Sequence, residues 1–205
     1  MKAIKELARK IYKKYADIRG DSLKQDRTIS SYRVSVILQN NEYSSSQLAK
    51  SVLAILRKND LCSIATIGLD SESYINAAFY CFSDAIDIYF LSDPDTHHCH
   101  NMARTSSTAI SIFNSHQVWG STLKGLQLFG NCSLAEGKDE KNAVERYKER
   151  FPAYRAFLGM LSPLELQEFK SRFFVFHPIT IKIFDESEFG EENIITVKIL
   201  KALCQ

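Results

Sequence analysis

A run of hydroxyl and imidazole side chains near residue 95 is the part of the sequence best suited to chemistry. An apolar, strand-like run ends at Phe90-Leu91-Ser92, and Asp93-Pro94-Asp95 predicts a tight turn that leads into a helix. The first turn of a helix leaves backbone N–H groups without partners, and these groups attract anions. The segment therefore predicts a phosphate site formed by that helix start and the side chains of Ser92, Thr96, His97 and His98.

The same segment could also suggest a metal site, because three histidines and one cysteine occupy residues 97–100. Neighbouring residues on a helix point about 100° apart, so only His97 and His100 share a face. A structural zinc site usually takes four ligands, and the spacing of His116 and His177 does not indicate that they supply the others. We predict no metal here, and a solvated helix start that is simply rich in histidine is the alternative.

Length and charge limit the classes of function. The 205 residues are 45% hydrophobic and 24% charged, which is typical of a globular protein with one domain or one domain and an appendage. The 26 basic and 24 acidic residues nearly balance, and this argues against a protein that mainly binds nucleic acid. There is no apolar run of about 18 residues, no secretory pattern and no paired cysteine motif, so we expect a cytoplasmic protein without a membrane span.

Basic charge and phenylalanine divide the chain near residue 60. Residues 1–60 hold 13 basic and 6 acidic residues, residues 61–205 hold 13 and 18, and all 13 phenylalanines follow residue 78. We predict a helical extension over residues 1–60 and a folded domain over residues 61–205. Apolar residues repeat at helical spacing through residues 4–18 and again after Ser44, which predicts two helices. Ser44 and Gln47, three residues apart, predict a capping box at the start of the second helix. The basic face of the first is either solvated or a surface for phosphates of nucleic acid or an anionic membrane.

Beyond residue 60, short β-branched and aromatic runs alternate with turn residues, a pattern typical of an antiparallel barrel. The runs are 61–68, 74–82, 86–92, 108–115, 123–135 and 173–185. Helices are predicted at 138–150 and after Ser162, where Ser162, Pro163 and Glu165 form a capping box with proline at the first helical position. The simplest architecture is a six-stranded barrel with inserted helices.

The order of these elements resembles the flavin-binding split-barrel proteins related to pyridoxamine 5'-phosphate oxidase. The resemblance covers about Leu61 to Glu136 and continues more weakly to Asp185. It rests on strands at 62–67 and 74–80, a strand ending at Ser92 with the triplet Thr96-His97-His98 after it, and a strand at 125–130. It implies a mainly β (α+β) fold: a six-stranded antiparallel split β-barrel with peripheral helices, here with an N-terminal helical extension.

Two stretches, 76–80 and 146–152, look closest to a small uncharacterised branch of that family. The C-terminal Arg and His motif with which the true oxidase holds pyridoxamine phosphate is not visible, and this chain has Phe176-His177-Pro178 in its place. The sequence therefore argues against pyridoxal phosphate synthesis.

The resemblance also implies FMN as the cofactor. Its phosphate would be surrounded by Ser92, Thr96, His97 and His98, while Ala65, Thr66, Asn76 and Ala77 would lie against the flavin ring, and Gln127 would approach from a neighbouring strand or a second subunit. The family commonly has Arg or Lys where this chain has His97 and His98. A bound phosphate should stabilise an imidazolium, so we expect affinity for FMN to fall as pH rises.

The function that follows is an FMN-binding flavoprotein, an oxidoreductase of unknown substrate whose flavin is open to a small molecule or NAD(P)H. The family places its flavin between two protomers, so a homodimer with the cofactor at the interface is expected, with Trp119 as a contact residue. Three alternatives stay open: a haem-binding split barrel with a His ligand, a protein using deazaflavin or another cofactor, and a non-enzymatic binding module. No residue is an evident acid or base, so no catalytic residue is assigned.

Overall fold

The structure is a computed structural model that describes residues 34–201. Its strands are β1 (Val36–Gln39), β2 (Leu61–Ile67), β3 (Ser73–Phe82), β4 (Ile88–Ser92), β5 (Ser107–Phe113), β6 (Lys124–Leu134), β7 (Arg172–Asp185) and β8 (Ile194–Lys201). Its helices are α1 (Ser45–Lys58), α2 (His97–Arg104), α3 (Lys138–Arg150), α4 (Pro152–Met160), α5 (Pro163–Glu168) and α6 (Glu186–Phe189). The helix predicted at residues 4–18 lies outside the described residues. Between residues 34 and 201, no helix combines the length and apolar character that a membrane crossing requires.

Six strands close into an antiparallel barrel in the order β7-β4-β3-β2-β5-β6, because β6 pairs back onto β7. β8 extends the sheet from the second half of β7, and β1 pairs with β8. The six barrel strands are the six predicted runs, so the predicted barrel is confirmed. β1 and β8 were not predicted.

The barrel is filled by the inward side chains of alternating strand positions, which is the packing expected of a small barrel. Ile64 of β2, Ile110 of β5 and Leu128 of β6 are fully buried in this core. Side chains of β1 and α1 join the same core, among them Leu38 and Val52. The composition change near residue 60 therefore does not separate two cores, since residues 36–58 pack as part of the barrel.

A second, smaller cluster covers one outer side of the barrel. Tyr89 of β4 and Val175 of β7 point outward and are buried beneath Ala143 and Tyr147 of α3. This side of the barrel is thereby closed to ligands.

The four cysteines among the described residues, Cys62, Cys81, Cys99 and Cys132, are buried free thiols. Burial raises the pKa of Cys62 and of Cys81 to about 12, so neither forms a thiolate near neutral pH. They behave as small apolar core residues.

Arg150, the last residue of α3, is a cation with only 8% exposure that joins three elements. Its guanidinium donates to the carbonyl oxygens of Leu56 (2.9 Å) and Asn59 at the end of α1, and it pairs with Asp60 at 3.3 Å. The guanidinium carbon lies 4.9 Å from the centre of the Tyr80 ring on β3. Carbonyl groups at a helix end lack partners within the helix, so α3 supplies the donors that α1 needs.

Replacing Arg150 with Ala should lower the free energy of unfolding by about 3 kcal/mol, because the Asn59 carbonyl loses a donor, the Leu56 carbonyl loses one of its donors, and the ion pair with Asp60 is lost. Arg146→Ala is the control, since Arg146 lies one turn earlier and makes a more exposed ion pair with Asp84 (3.1 Å). It should cost less than about 1 kcal/mol. Urea unfolding followed by circular dichroism measures both variants, and equal losses would contradict the role of Arg150.

Candidate functional site

The predicted phosphate site forms where β4 ends and α2 begins. Ser92 Oγ lies 2.8 Å from Nε2 of His98, and Thr96 Oγ1 lies 3.3 Å from the same nitrogen. Thr96 occupies the N-cap of α2, yet its hydroxyl donates to the carbonyl of Asp93 (2.7 Å) instead of capping the helix. Three predicted phosphate ligands, Ser92, Thr96 and His98, thus form one cluster beside a helix start that Thr96 leaves uncapped.

His98 is half-buried in this cluster. Burial is the main cause that lowers its pKa below the ordinary value, and the neighbouring His97 lowers it further. The ring is therefore neutral at pH 7, able to donate one hydrogen bond and accept one. A phosphate dianion beside it would raise the pKa again, because the charge favours the imidazolium.

His97, the fourth predicted ligand, is exposed and contacts a different element. Its ring stacks on that of Tyr74 at the start of β3, with centroids 4.5 Å apart and 30° between the planes. The Tyr74 hydroxyl donates to Asp70 (3.0 Å) in the β2–β3 turn. Tyr74 and Asp70 were not predicted as site residues, since no local signal shows that this hairpin reaches the start of α2.

α2 is attached to the barrel by two polar contacts with β2. Asn101 donates from Nδ2 to the hydroxyl of Thr66 (3.2 Å), and Arg104 donates to the carbonyl of Ile67 (3.0 Å). Both Asn101 and Thr66 are buried. Thr66 therefore holds α2, and with it the phosphate site, at a set distance from the sheet.

The residues predicted to contact a flavin ring lie on two faces of the β2–β3 hairpin, because strand side chains alternate. Ala65 and Ala77 point outward, whereas Thr66 and Asn76 point inward. Asn76 Oδ1 is buried and has no hydrogen-bond partner within the described part of the chain. Such an orphaned acceptor is costly unless a ligand or water satisfies it.

Gln127 lies on the outward side of β6, in line with other small or polar residues. Strand register places Ala77, Ser63, Ser111 and Gln127 in one row across β3, β2, β5 and β6. A pocket of about 260 Å³ opens beside Gln127, lined also by Phe113, Leu123 and Phe184. The pocket combines the polar side chains of Gln127 and Ser111 with the aromatic rings of Phe113 and Phe184. Such a pocket suits a flat ring that has hydrogen-bonding groups along its edge.

We call the outward side of β2, β5, β6 and the first half of β3 the open face, because no element within residues 34–201 covers it. Small residues occupy its centre and large apolar residues its margin, namely Ile75, which is 76% exposed, and the exposed Phe113 and Phe129. Soluble monomers rarely leave an apolar surface of this kind in water. The open face therefore indicates a ligand, a partner or both.

Metal-binding side chains do not gather at this site or elsewhere in the described residues: no three His, Cys, Asp or Glu come together as ligands. His177 is bonded instead to Asp87, with 2.8 Å between Nδ1 and Oδ1. Its Nε2 lies 3.8 Å from Asp139 of α3, so this histidine helps to attach α3 to the barrel.

Comparison with known proteins decides the family. Residues 48–182 match the family model described as pyridoxamine 5'-phosphate oxidase. The chain belongs to this family. Within the pyridoxamine 5'-phosphate oxidase family, it is similar to an UPF0306 protein from Cronobacter sakazakii, at 29% identity over 94 residues. That match spans 45% of this chain and 65% of the relative, and it supports the predicted placement in a branch apart from the oxidase itself.

Solved structures with the same fold include two haem proteins. A haem-binding protein from Mycobacterium smegmatis superposes with a TM-score of 0.58 at 13% identity, over 78% of this chain and 60% of that one. The haem storage protein HutZ from Vibrio cholerae gives a TM-score of 0.51 at 14% identity, over 63% and 88% of the two chains. At these identities the likeness shows the split-barrel fold alone, and that predicted fold is confirmed.

The residues present fit the flavin phosphate that this family implies. The Ser92 hydroxyl, the His98 imidazole and an uncapped helix start are donors that a phosphate monoester takes, and the Thr96 hydroxyl joins them once it turns away from the Asp93 carbonyl. The small outward residues at Ala65 and Ala77 leave room for a flat ring, whereas Asn76 and Thr66 point inward and do not face a ring placed there.

Proposed function

We propose that this protein binds FMN and acts as a flavin-dependent oxidoreductase. The observation that carries the proposal is the cluster of Ser92, Thr96 and His98 at the uncapped start of α2. When bound, the flavin supplies the redox chemistry. The chain's own task is to hold the phosphate with these donors and to keep one face of the ring open to a small-molecule substrate or NAD(P)H.

The ring lies over the small residues of the open face in this proposal. Ala65 and Ala77 present little bulk there, and the Gln127 amide is available to a polar edge of the ring. Thr66 acts indirectly, through its bond to Asn101, which positions α2.

The spectrum of the purified protein, before and after addition of FMN, tests the proposal. FMN should bind with a shift of its visible absorption bands. Ser92→Ala should lower the affinity for FMN by about tenfold and leave the affinity for riboflavin unchanged, because riboflavin lacks the phosphate. Ser106→Ala removes an exposed hydroxyl beyond the far end of α2 and should change neither. A sharp haem band with released haem would favour the haem alternative. A colourless protein that ignores FMN would overturn the proposal.

We also propose a homodimer in which a second copy covers the open face, so that the cofactor lies between protomers. The exposed apolar margin around Ile75 carries this proposal. Trp119, 99% exposed in the β5–β6 loop, is the residue we expect to contact the second copy.

Replacing Ile75 with Asp should convert the dimer to a monomer, because a charge would then be buried in the interface. Leu164→Asp is the matched control: Leu164 is similarly exposed but lies on α5. Light scattering after size exclusion should show a dimer for the wild type and the control, and a monomer for Ile75→Asp. A monomeric wild type would contradict the proposal.

A further inference from the structure

Tyr74, at the start of β3, contacts the ring of His97 in the first turn of α2. The rings of Tyr74 and His97 are stacked at 4.5 Å between centroids. An exposed imidazole without such a contact samples several rotamers, and ordering it on binding costs free energy. The stack removes part of that cost before a ligand arrives.

The phenol of Tyr74 is itself held by the turn. Its hydroxyl donates to Oδ2 of Asp70 (3.0 Å), and Oδ1 of Asp70 accepts from the backbone N–H of Glu72 (2.9 Å). The Glu72 bond is the main cause that lowers the pKa of Asp70, with the Tyr74 hydroxyl adding to it. Asp70 is therefore ionised near neutral pH and remains an acceptor for Tyr74.

Gly68 leaves the space that this arrangement needs. A Cβ at residue 68 would lie 2.4 Å from Cε2 of Tyr74 and 2.6 Å from Oδ1 of Asp70. Both are ends of side chains, so an alanine would push them aside rather than prevent folding. Gly68→Ala is thus a way to displace the phenol without deleting it.

We propose that Tyr74, held by Asp70, is a positioning residue that aims the His97 imidazole at the bound phosphate. His97 then acts as a second phosphate ligand beside His98, and Tyr74 determines how strongly the site prefers a phosphorylated flavin over riboflavin. This inference rests on the proposed FMN function.

The test compares the dissociation constants of FMN and riboflavin for the wild type and variants. Tyr74→Leu and Gly68→Ala should lower the affinity for FMN by about tenfold and leave the affinity for riboflavin unchanged. Tyr74→Phe, which keeps the ring, should lower the affinity for FMN by about threefold or less. In a double-mutant cycle, the protein with both His97→Ala and Tyr74→Leu should lose no more affinity for FMN than the protein with His97→Ala alone. Additive losses, or equal losses of FMN and riboflavin, would overturn the positioning role.

A spectroscopic measurement separates this role from a merely structural one. In proton NMR, the ring signals of His97 should be shifted by the Tyr74 ring in the wild type and in Tyr74→Phe, and should move in Tyr74→Leu. If the wild type binds neither flavin, the proposed function and this inference both fail. If it binds FMN and Tyr74→Leu binds FMN equally well, only the positioning role fails.

Discussion

The Gly130→Ala variant is expected to lose about 4 kcal/mol of unfolding free energy, or to fail to fold. A Cβ at residue 130 would lie 2.1 Å from the carbonyl oxygen of His177 and 2.9 Å from Cα of Pro178. These are backbone atoms held by the β6–β7 ladder, so they cannot move aside as a side chain would. The loss therefore includes disruption of strand pairing.

The fold needs this close approach because β7 serves two parts of the sheet. Its first half pairs with β4 as far as Phe176, and its second half pairs with β8 from Thr180 onward. Between them the β6–β7 register shifts at Gly130, with a bulge that leaves Ile179 without an opposite residue. Bulges bend a strand and increase its twist, and here the bend brings β7 against residue 130.

Gly159→Ala is the matched control for this variant. Gly159 lies in α4, and a Cβ there would meet no atom of the described residues within 4 Å. Alanine is the better helix former, so this variant should gain up to about 1 kcal/mol. Urea unfolding followed by circular dichroism measures both. A free energy of unfolding within about 1 kcal/mol of the wild-type value for Gly130→Ala would contradict the close approach of the His177 backbone to residue 130.

The affinity for FMN is expected to fall at least about tenfold between pH 6 and pH 9. Burial and the neighbouring His97 lower the pKa of His98 in the free protein, and a bound phosphate dianion would raise it. A group whose pKa rises on binding takes up a proton with the ligand. Affinity is therefore highest below the pKa of the free protein and falls until pH exceeds the pKa of the complex.

Two glutamine variants test the assignment to His98. His98→Gln retains a hydrogen-bonding side chain that does not titrate, so its FMN affinity should fall clearly less between pH 6 and pH 9 than that of the wild type. His100→Gln changes an exposed histidine on the same helix and should keep the wild-type slope. Isothermal titration in buffers free of phosphate measures all three proteins, and a wild-type affinity independent of pH would rule out the role of His98.

Local signals predicted much of the fold because they act within a few residues. The capping box at α5 is confirmed in both directions: Glu165 N–H donates to the Ser162 hydroxyl (3.3 Å), and the Glu165 carboxylate accepts from Ser162 N–H (2.9 Å). Ser44 caps α1 through the N–H of Gln47 (3.3 Å), as the pattern predicted. The Gln47 side chain, however, donates to Glu188 near the other end of the chain.

Long-range pairing explains what was missed. β1 is four residues long, too short to carry a clear signal of its own, and it forms on the edge of β8. β8 carries a β-branched run that the prediction overlooked, and it is placed by its pairing with β7. In the sequence, Arg150 is the last residue of a predicted helix and gives no sign of burial. Its burial against α1 depends on how α3 packs across the barrel.

The sequence by itself determined the six barrel strands, the helix starts at Ser44 and Ser162, and the hydroxyl and imidazole groups around α2, since period and capping are local. Only the tertiary structure decided that Tyr74 of β3 reaches His97 of α2. It also decided which residues of β2 and β3 face outward. These outcomes depend on strand register, because a shift of one residue would turn every side chain of the strand to the opposite face of the sheet. The register is in turn determined by the closed barrel as a whole.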